Sequence, residues 1–293
     1  MALIRVSTLK NGLISNIKED NKMDNTKRTA DIKALMDKES YNFYDLVKIM
    51  ELLRSEGGCP WDREQTHKSI RNNFIEETYE VIEAIDTDDK KLLREELGDV
   101  LLQVVFHTRM EEEVGEFNID DVANDICAKL IHRHPHIFAD VVADNTEDVL
   151  RNWEQIKNQE KQRVTYTDKL NAIPKMFPAL MRAQKVGKKA SFFDFESSDL
   201  VIQKIYEETE EVKDAIAKGD KENIEEEIGD LLLTVTSLAR KAGVDCEQAL
   251  SKATDKFINR FEKVENKVTE MGCEIDKMSM TELDAVWDTI KHS

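Results

Sequence analysis

EETYEVIEAIDTDDKKLLREELGDVLL, residues 76–102, and EETEEVKDAIAKGDKENIEEEIGDLLL, residues 207–233, decide the fold between them. They agree at 15 of 27 positions, at a constant offset of 131 residues and without a gap. Agreement over that length marks an internal duplication. Within each copy the apolar residues recur at helical spacing, and a short polar break splits the stretch in two: Asp86-Thr87-Asp88-Asp89 in the first, Gly219-Asp220 in the second. So short a connection forces the two helices to run antiparallel.

Working outward, the same periodicity predicts helices over Phe43–Leu53, from about Thr66, over Ile119–Ile131 and from Asn145 to Lys161. In the second series it predicts Leu180–Lys189, Asp245–Val264 and Thr281–Lys291. Gly57-Gly58-Cys59-Pro60 and His134-Pro135 are stops. Only 4 prolines and 10 glycines occur in 293 residues, fewer than a sandwich or a doubly wound sheet needs for its turns. The expected fold is all-α, with two tandem helical-bundle domains. Residues 1–42 read as a tail, disordered or weakly helical, because they are polar and poor in aromatics. A first domain is expected at 43–161, a linker at 162–176 and a second domain at 177–293.

Each copy carries Glu-Glu-x-x-Glu and then Glu-x-x-Asp. Residues three apart share a helix face. Folding the first hairpin at Asp88 sets Glu80 across from Glu96 and Glu77 across from Asp99. Folding the second at Gly219 sets Glu211 across from Glu227 and Glu208 across from Asp230. Four carboxylates on one patch repel and raise each other's pKa unless a cation intervenes. Oxygen-only ligands of this kind suit Mg²⁺ or Mn²⁺ rather than Zn²⁺. A solvated acidic face is the plainer reading of any one Glu-rich helix, but the mirror placement and the recurrence favour a metal site. The flanking Val81, Ile85, Leu97, Leu101 and Val212, Ile216, Ile228, Leu232 are expected to bury the rest of each hairpin.

Cations for phosphate follow each hairpin. Lys129 and Arg133, then Trp153 and Lys157, stand after the first; Lys256 and Arg260, then Trp287 and Lys291, after the second. Each pair has i,i+4 spacing and shares a face. Lysine and arginine bind phosphate oxygens, and each tryptophan either stacks on a base or fills the core. Lys204, one turn before Glu208, is a further phosphate candidate, and its counterpart in the first copy is the uncharged Asn73.

Other chemistries are poorly supported. A net charge of −18 repels nucleic-acid polymers. No apolar run approaches a membrane span. Cys59, Cys127, Cys246 and Cys273 are scattered, which suits the cytoplasm. His132-Arg133-His134-Pro135-His136 is broken by its proline and has no cysteine nearby, so zinc is not expected there; His107, within an apolar run, reads as a core histidine. Phosphate-loop and nucleophile-elbow motifs are absent from the sequence.

Gly57-Gly58-Cys59-Pro60-Trp61-Asp62, Glu-Glu-Thr-Tyr-Glu at 76–80, Glu96-Leu97-Gly98-Asp99, Arg133-His134-Pro135-His136 and Trp153-Glu154-Gln155-Ile156-Lys157 closely resemble the MazG nucleoside triphosphate pyrophosphohydrolases. Pro178-Ala179-Leu180-Met181-Arg182-Ala183-Gln184-Lys185 and the second carboxylate set are similar to that family's C-terminal half. The resemblance covers about residues 43–291. It implies tandem all-α domains in a homodimer and Mg²⁺-dependent cleavage of NTPs and dNTPs to monophosphate and pyrophosphate, clearing unwanted nucleotides. By motif it implies metal ligands at Glu208, Glu211, Glu227 and Asp230, and nucleotide contacts at Lys204, Lys256, Arg260 and Trp287. A second metal set is kept at Glu77, Glu80, Glu96 and Asp99. Lys204 against Asn73 points to the second half as the main active site. Glu207 or Glu76 is a candidate to orient the attacking water. The alternatives are a narrow-specificity all-α pyrophosphatase, of dUTPase-like or phosphoribosyl-ATP type, and a non-catalytic nucleotide sensor.

Overall fold

Each duplicated stretch folds as an antiparallel helical hairpin in the computed structural model, which describes residues 25–141, 143 and 145–291. In chain order the helices are α1 (Asn25–Met36), α2 (Phe43–Arg54), α3 (Pro60–Glu64), α4 (Arg71–Asp86), α5 (Lys90–Val114), α6 (Ile119–Arg133), α7 (Pro135–Phe138), α8 (Thr146–Glu160), α9 (Tyr166–Asn171), α10 (Ala179–Lys189), α11 (Ser198–Lys218), α12 (Lys221–Lys241), α13 (Cys246–Glu270) and α14 (Met280–Lys291). No strand occurs among the described residues, and the fold is all-α. No described helix is long and apolar enough to cross a membrane. The chain divides into two compact units, Met1–Val149 and Leu150–Ser293. The division falls inside α8, ahead of the boundary expected at 161. Glu154 of α8 pairs with Lys189 of α10 at 2.5 Å within the second unit.

The hairpin turns explain why α4/α5 and α11/α12 match so closely. Asp89 caps α5 by accepting from the Lys91 and Leu92 amides, and Asp220 caps α12 by accepting from Glu222 and Asn223. The residue before each cap must adopt a left-handed backbone. Gly219 does so at φ +69° without steric cost, whereas Asp88 does so at φ +52°.

In the first unit, α2 packs on α5. Met50, Ile70, Val105, Phe106 and Met110 are buried together, with Leu46, Val47, Leu53, Leu102 and Ile119 against them. A capping box at Asn42 and Asp45 starts α2. At its other end Arg54 holds Glu113 through two hydrogen bonds of 2.9 and 2.8 Å and lies over the Phe106 ring. The glycine pair at 57–58 does more than stop a helix. Gly57 is left-handed at φ +76°, and a methyl on Gly58 would overlap the Leu52 and Leu53 carbonyls.

In the second unit, α10 packs on α12 and α13. Gln184 accepts from the Cys246 amide and donates to the Val244 carbonyl, and Arg240 and Lys241 both pair with Asp194. A second core joins Val264, Val268 and Val286 of α13 and α14.

Three expectations change. Residues 25–36, read as tail, form α1, whose Arg28 Nε donates to Ser55; residues 1–24 of that tail lie outside the described residues. Residues 166–171, read as linker, form α9 behind a capping box at Thr165 and Asp168. The apolar residues flanking the carboxylates do not all bury themselves within the chain. Ile85, Leu97, Leu101, Ile216, Ile228 and Leu232 are exposed, Ile216 by 58%. A two-helix hairpin has more apolar faces than its own partner helices cover.

Asp88→Gly is expected to stabilise the protein by about 0.5–1 kcal/mol, since glycine relieves the left-handed strain at a modest entropic cost. Urea denaturation checks this; a lower midpoint would show that the Asp88 side chain supports the turn.

Candidate metal centre

The carboxylates converge as the hairpin geometry requires. In the first unit Glu77 of α4 and Glu96 and Asp99 of α5 each present an oxygen within 4.8 Å of the others. Glu80 lies near enough to act on both Glu77 and Glu96. Burial pushes the Glu77 carboxyl above its ordinary 4.5, and the charges of Asp99, Glu80 and Glu96 push the same way. Glu96 is buried and is raised by that burial and then by Glu80.

In the second unit Glu208 and Glu211 of α11 and Glu227 of α12 form a triad with oxygens within 4.8 Å, in which Glu211, the counterpart of Glu80, takes the third place that Asp99 holds in the first. Glu208 is only 4% exposed. Asp230, one turn beyond Glu227, is exposed and stands outside the tight triad. Asn223 Nδ2 donates to Glu227 at 2.9 Å and fixes its side chain.

The two sites differ in one residue that matters. Lys204 Nζ lies 2.7 Å from Glu207, 2.9 Å from Glu208 and 4.0 Å from Glu211. Its hydrogen bonds to Glu207 and Glu208 hold its pKa well above the ordinary lysine value. Burial still raises Glu211, partly opposed by Lys204. Asn73, at the same place in the first copy, supplies no charge.

Among the described residues, the remaining predicted cations make no ion pair with the triad. Lys256 is exposed and Arg260 half-buried on α13, and neither is ion-paired to a described residue. Trp287 is half-buried against Val264, Val268 and Val286, with Phe257 at 5.3 Å between ring centres. On the part of α8 that falls in the second unit, Lys157 lies over the Trp153 ring at 4.6 Å. All four cysteines are unpaired.

One cluster was missed from the sequence. His67, in the turn before α4, places Nδ1 2.7 Å from Nδ1 of His107 on α5, and its Nε2 2.6 Å from Glu111. His107 is therefore half-buried and paired rather than a core histidine; burial and then His67 lower its pKa. The i,i+4 spacing of His107 and Glu111 was the available signal, but nothing in the sequence ties His67 to them.

Comparison with known proteins gives two matches to the MazG nucleotide pyrophosphohydrolase domain, at residues 65–138 and 196–265. A nucleoside triphosphate pyrophosphohydrolase of Escherichia coli (strain K12) is 44% identical over 251 residues, 84% of this chain and 95% of that protein. A nucleoside triphosphate pyrophosphohydrolase/pyrophosphatase of Thermotoga maritima is 43% identical over 85% of this chain and 95% of its own length. A nucleoside triphosphate pyrophosphohydrolase of Mycobacterium tuberculosis is 35% identical over 76% and 58% respectively.

The raised carboxylates carry a signed pH dependence. A carboxyl whose folded pKa lies above its unfolded value stabilises the fold at low pH, and that contribution is lost as pH rises through the folded value. In metal-free protein Glu77→Gln is therefore expected to raise the melting temperature at pH 7, with the gain fading as pH falls towards 4.5. Melting curves in chelator across that range test it; a pH-independent loss would contradict it.

Proposed function

This chain belongs to the MazG nucleotide pyrophosphohydrolase family and is a nucleoside triphosphate pyrophosphohydrolase, and we propose that it works on NTPs and dNTPs with Mg²⁺, or Mn²⁺, at its paired carboxylates. The recurrence of a three-carboxylate cluster in both hairpins, sharing the paired positions Glu77/Glu208 and Glu96/Glu227, carries this reading. The donor set fits such an ion: it is oxygen only, closely spaced and partly buried, and the first copy has Asn73 where the second has Lys204. Glu208, Glu211, Glu227 and Asp230 would hold the ion in the second unit, and Glu77, Glu80, Glu96 and Asp99 in the first. When bound, a divalent cation would offset charge developing on the phosphates and lower the pKa of a water.

The chain's own groups supply the rest. Lys204, beside the ligands, would take a phosphate oxygen, and the unpaired Lys256 and Arg260 would add charge along the triphosphate. Trp287, wedged against Val264 and Val268, offers a preset flat surface for the base. Glu207 is held by Lys204 and its side chain is 59% exposed, which suits a group that orients the attacking water. Asn73 leaves the first unit without the equivalent cation, so the second unit is the main active site in this reading.

The same reading makes the protein a homodimer. Ile85, Leu97, Leu101, Ile216, Ile228 and Leu232 lie uncovered on the hairpins and would be buried by a second copy. The unpaired cysteines suit the reducing cytoplasm, and the acidic surface suits small nucleotides with a cation rather than nucleic-acid polymers.

An NTP and dNTP panel with Mg²⁺ is expected to yield monophosphate and pyrophosphate. Glu208→Ala should lower kcat/KM by about 100-fold or more, a loss of several kcal/mol of charge stabilisation, and Glu77→Ala much less. Equal losses would place catalysis in both units. Diphosphate and phosphate as products would mean that a different bond is cut, and Glu207→Gln with full activity would remove Glu207 from the mechanism.

A further inference from the structure

Glu111, His67 and His107 form a hydrogen-bonded row that the pyrophosphohydrolase reaction does not use. The two imidazole rings are nearly coplanar, 7° apart, with centres 5.0 Å apart and their Nδ1 atoms at 2.7 Å. The nitrogens therefore meet head to head, and only a proton between them makes that contact attractive. Behind His67, Glu111 accepts from Nε2 at 2.6 Å, so His67 offers an Nδ1 lone pair and His107 donates the bridging proton. The row borders a pocket of about 450 Å³ walled by Phe74, Val104, Phe117 and Val122. At the offset relating the two copies the three positions are Ser198, Leu238 and Ala242, so the second unit lacks the row.

We propose that His67 and His107 bind a borderline transition-metal ion, with Zn²⁺ as the reference, between their Nδ1 atoms. Two imidazole donors suit Zn²⁺ and not Mg²⁺. A carboxylate on the far nitrogen of a ligating histidine is the usual means of fixing its tautomer and raising its basicity, and Glu111 already stands there. Binding replaces the bridging proton, which moves through solvent to Nε2 of His107. Both rings stay neutral and nothing is oxidised or reduced. The nitrogens part from 2.7 Å to about 3.3 Å, as two Zn–N bonds of about 2.0–2.1 Å require. His67 sits on a turn and is half exposed, so it has room to move. The pocket leaves space for water in the remaining positions. The ion ties the turn before α4 to α5, closing the carboxylate-bearing hairpin at the end opposite its Asp88 turn.

The test is equilibrium dialysis of the full chain against Zn²⁺ in millimolar Mg²⁺, which occupies oxygen-only sites, with melting curves on the same samples. Wild type is expected to retain Zn²⁺ and to melt higher with it. Glu111→Gln should weaken binding about 10–100-fold, and His67→Ala and His107→Leu by more, each with a native helical spectrum and no zinc-dependent melting shift. His136→Ala should bind as wild type does. Absence of Zn²⁺ binding by wild type, undiminished binding by folded His67→Ala or His107→Leu, or loss in His136→Ala would each overturn the assignment.

Discussion

Repulsion among carboxylates gathered at one level of a two-helix hairpin is the constraint around which each unit is organised. Burial first, and then the neighbouring carboxylate charges, raise the pKa of Glu77 and Glu96. The hairpin tolerates it because the helices are anchored elsewhere. Asp89 and Asp220 cap the returning helices, and in the first unit α2 buries Met50 against Val105, Phe106 and Met110 of α5. Stability is spent locally to keep oxygen donors together, as expected at a functional site.

Duplication has let the two hairpins answer that constraint differently. In the second, Lys204 stands among the carboxylates and makes up part of the charge. In the first, Asn73 leaves the set uncompensated, while His67, His107 and Glu111 add a polar row that the second copy replaces with Ser198, Leu238 and Ala242. The turns diverge too, since Gly219 accepts a left-handed backbone freely and Asp88 does not. The carboxylate charge is thus partly offset in the second unit, and in the first no lysine stands at the corresponding position.

Most of the fold was legible because helical periodicity and an antiparallel return are local properties. The hairpins at 71–114 and 198–241 lie where apolar spacing and the Asp88 and Gly219 breaks put them. The carboxylate facing followed from the same reasoning, though Asp230 stays outside the tight triad of the second unit and Glu80 outside that of the first. Residues 25–36 read as disordered or weakly helical, since a polar composition conceals that Arg28 is held by Ser55. The exposure of Ile216 and Leu232 was missed because periodicity identifies an apolar face but not what covers it. His67 and His107 stand 40 residues apart on a turn and a helix, and their pairing depends on tertiary placement that no local pattern encodes.

The central claim is that the duplicated carboxylates hold the catalytic cation. Crystals grown with Mn²⁺ and an NTP analogue that cannot be cleaved between its α and β phosphates would locate that ion directly by anomalous scattering. The account predicts a peak bridging Glu208, Glu211 and Glu227 to the phosphates, with Lys204 turned from Glu208 to the analogue. Ordered analogue with its manganese away from these carboxylates, or with Lys204 still paired to Glu208 and no ion beside it, would contradict it.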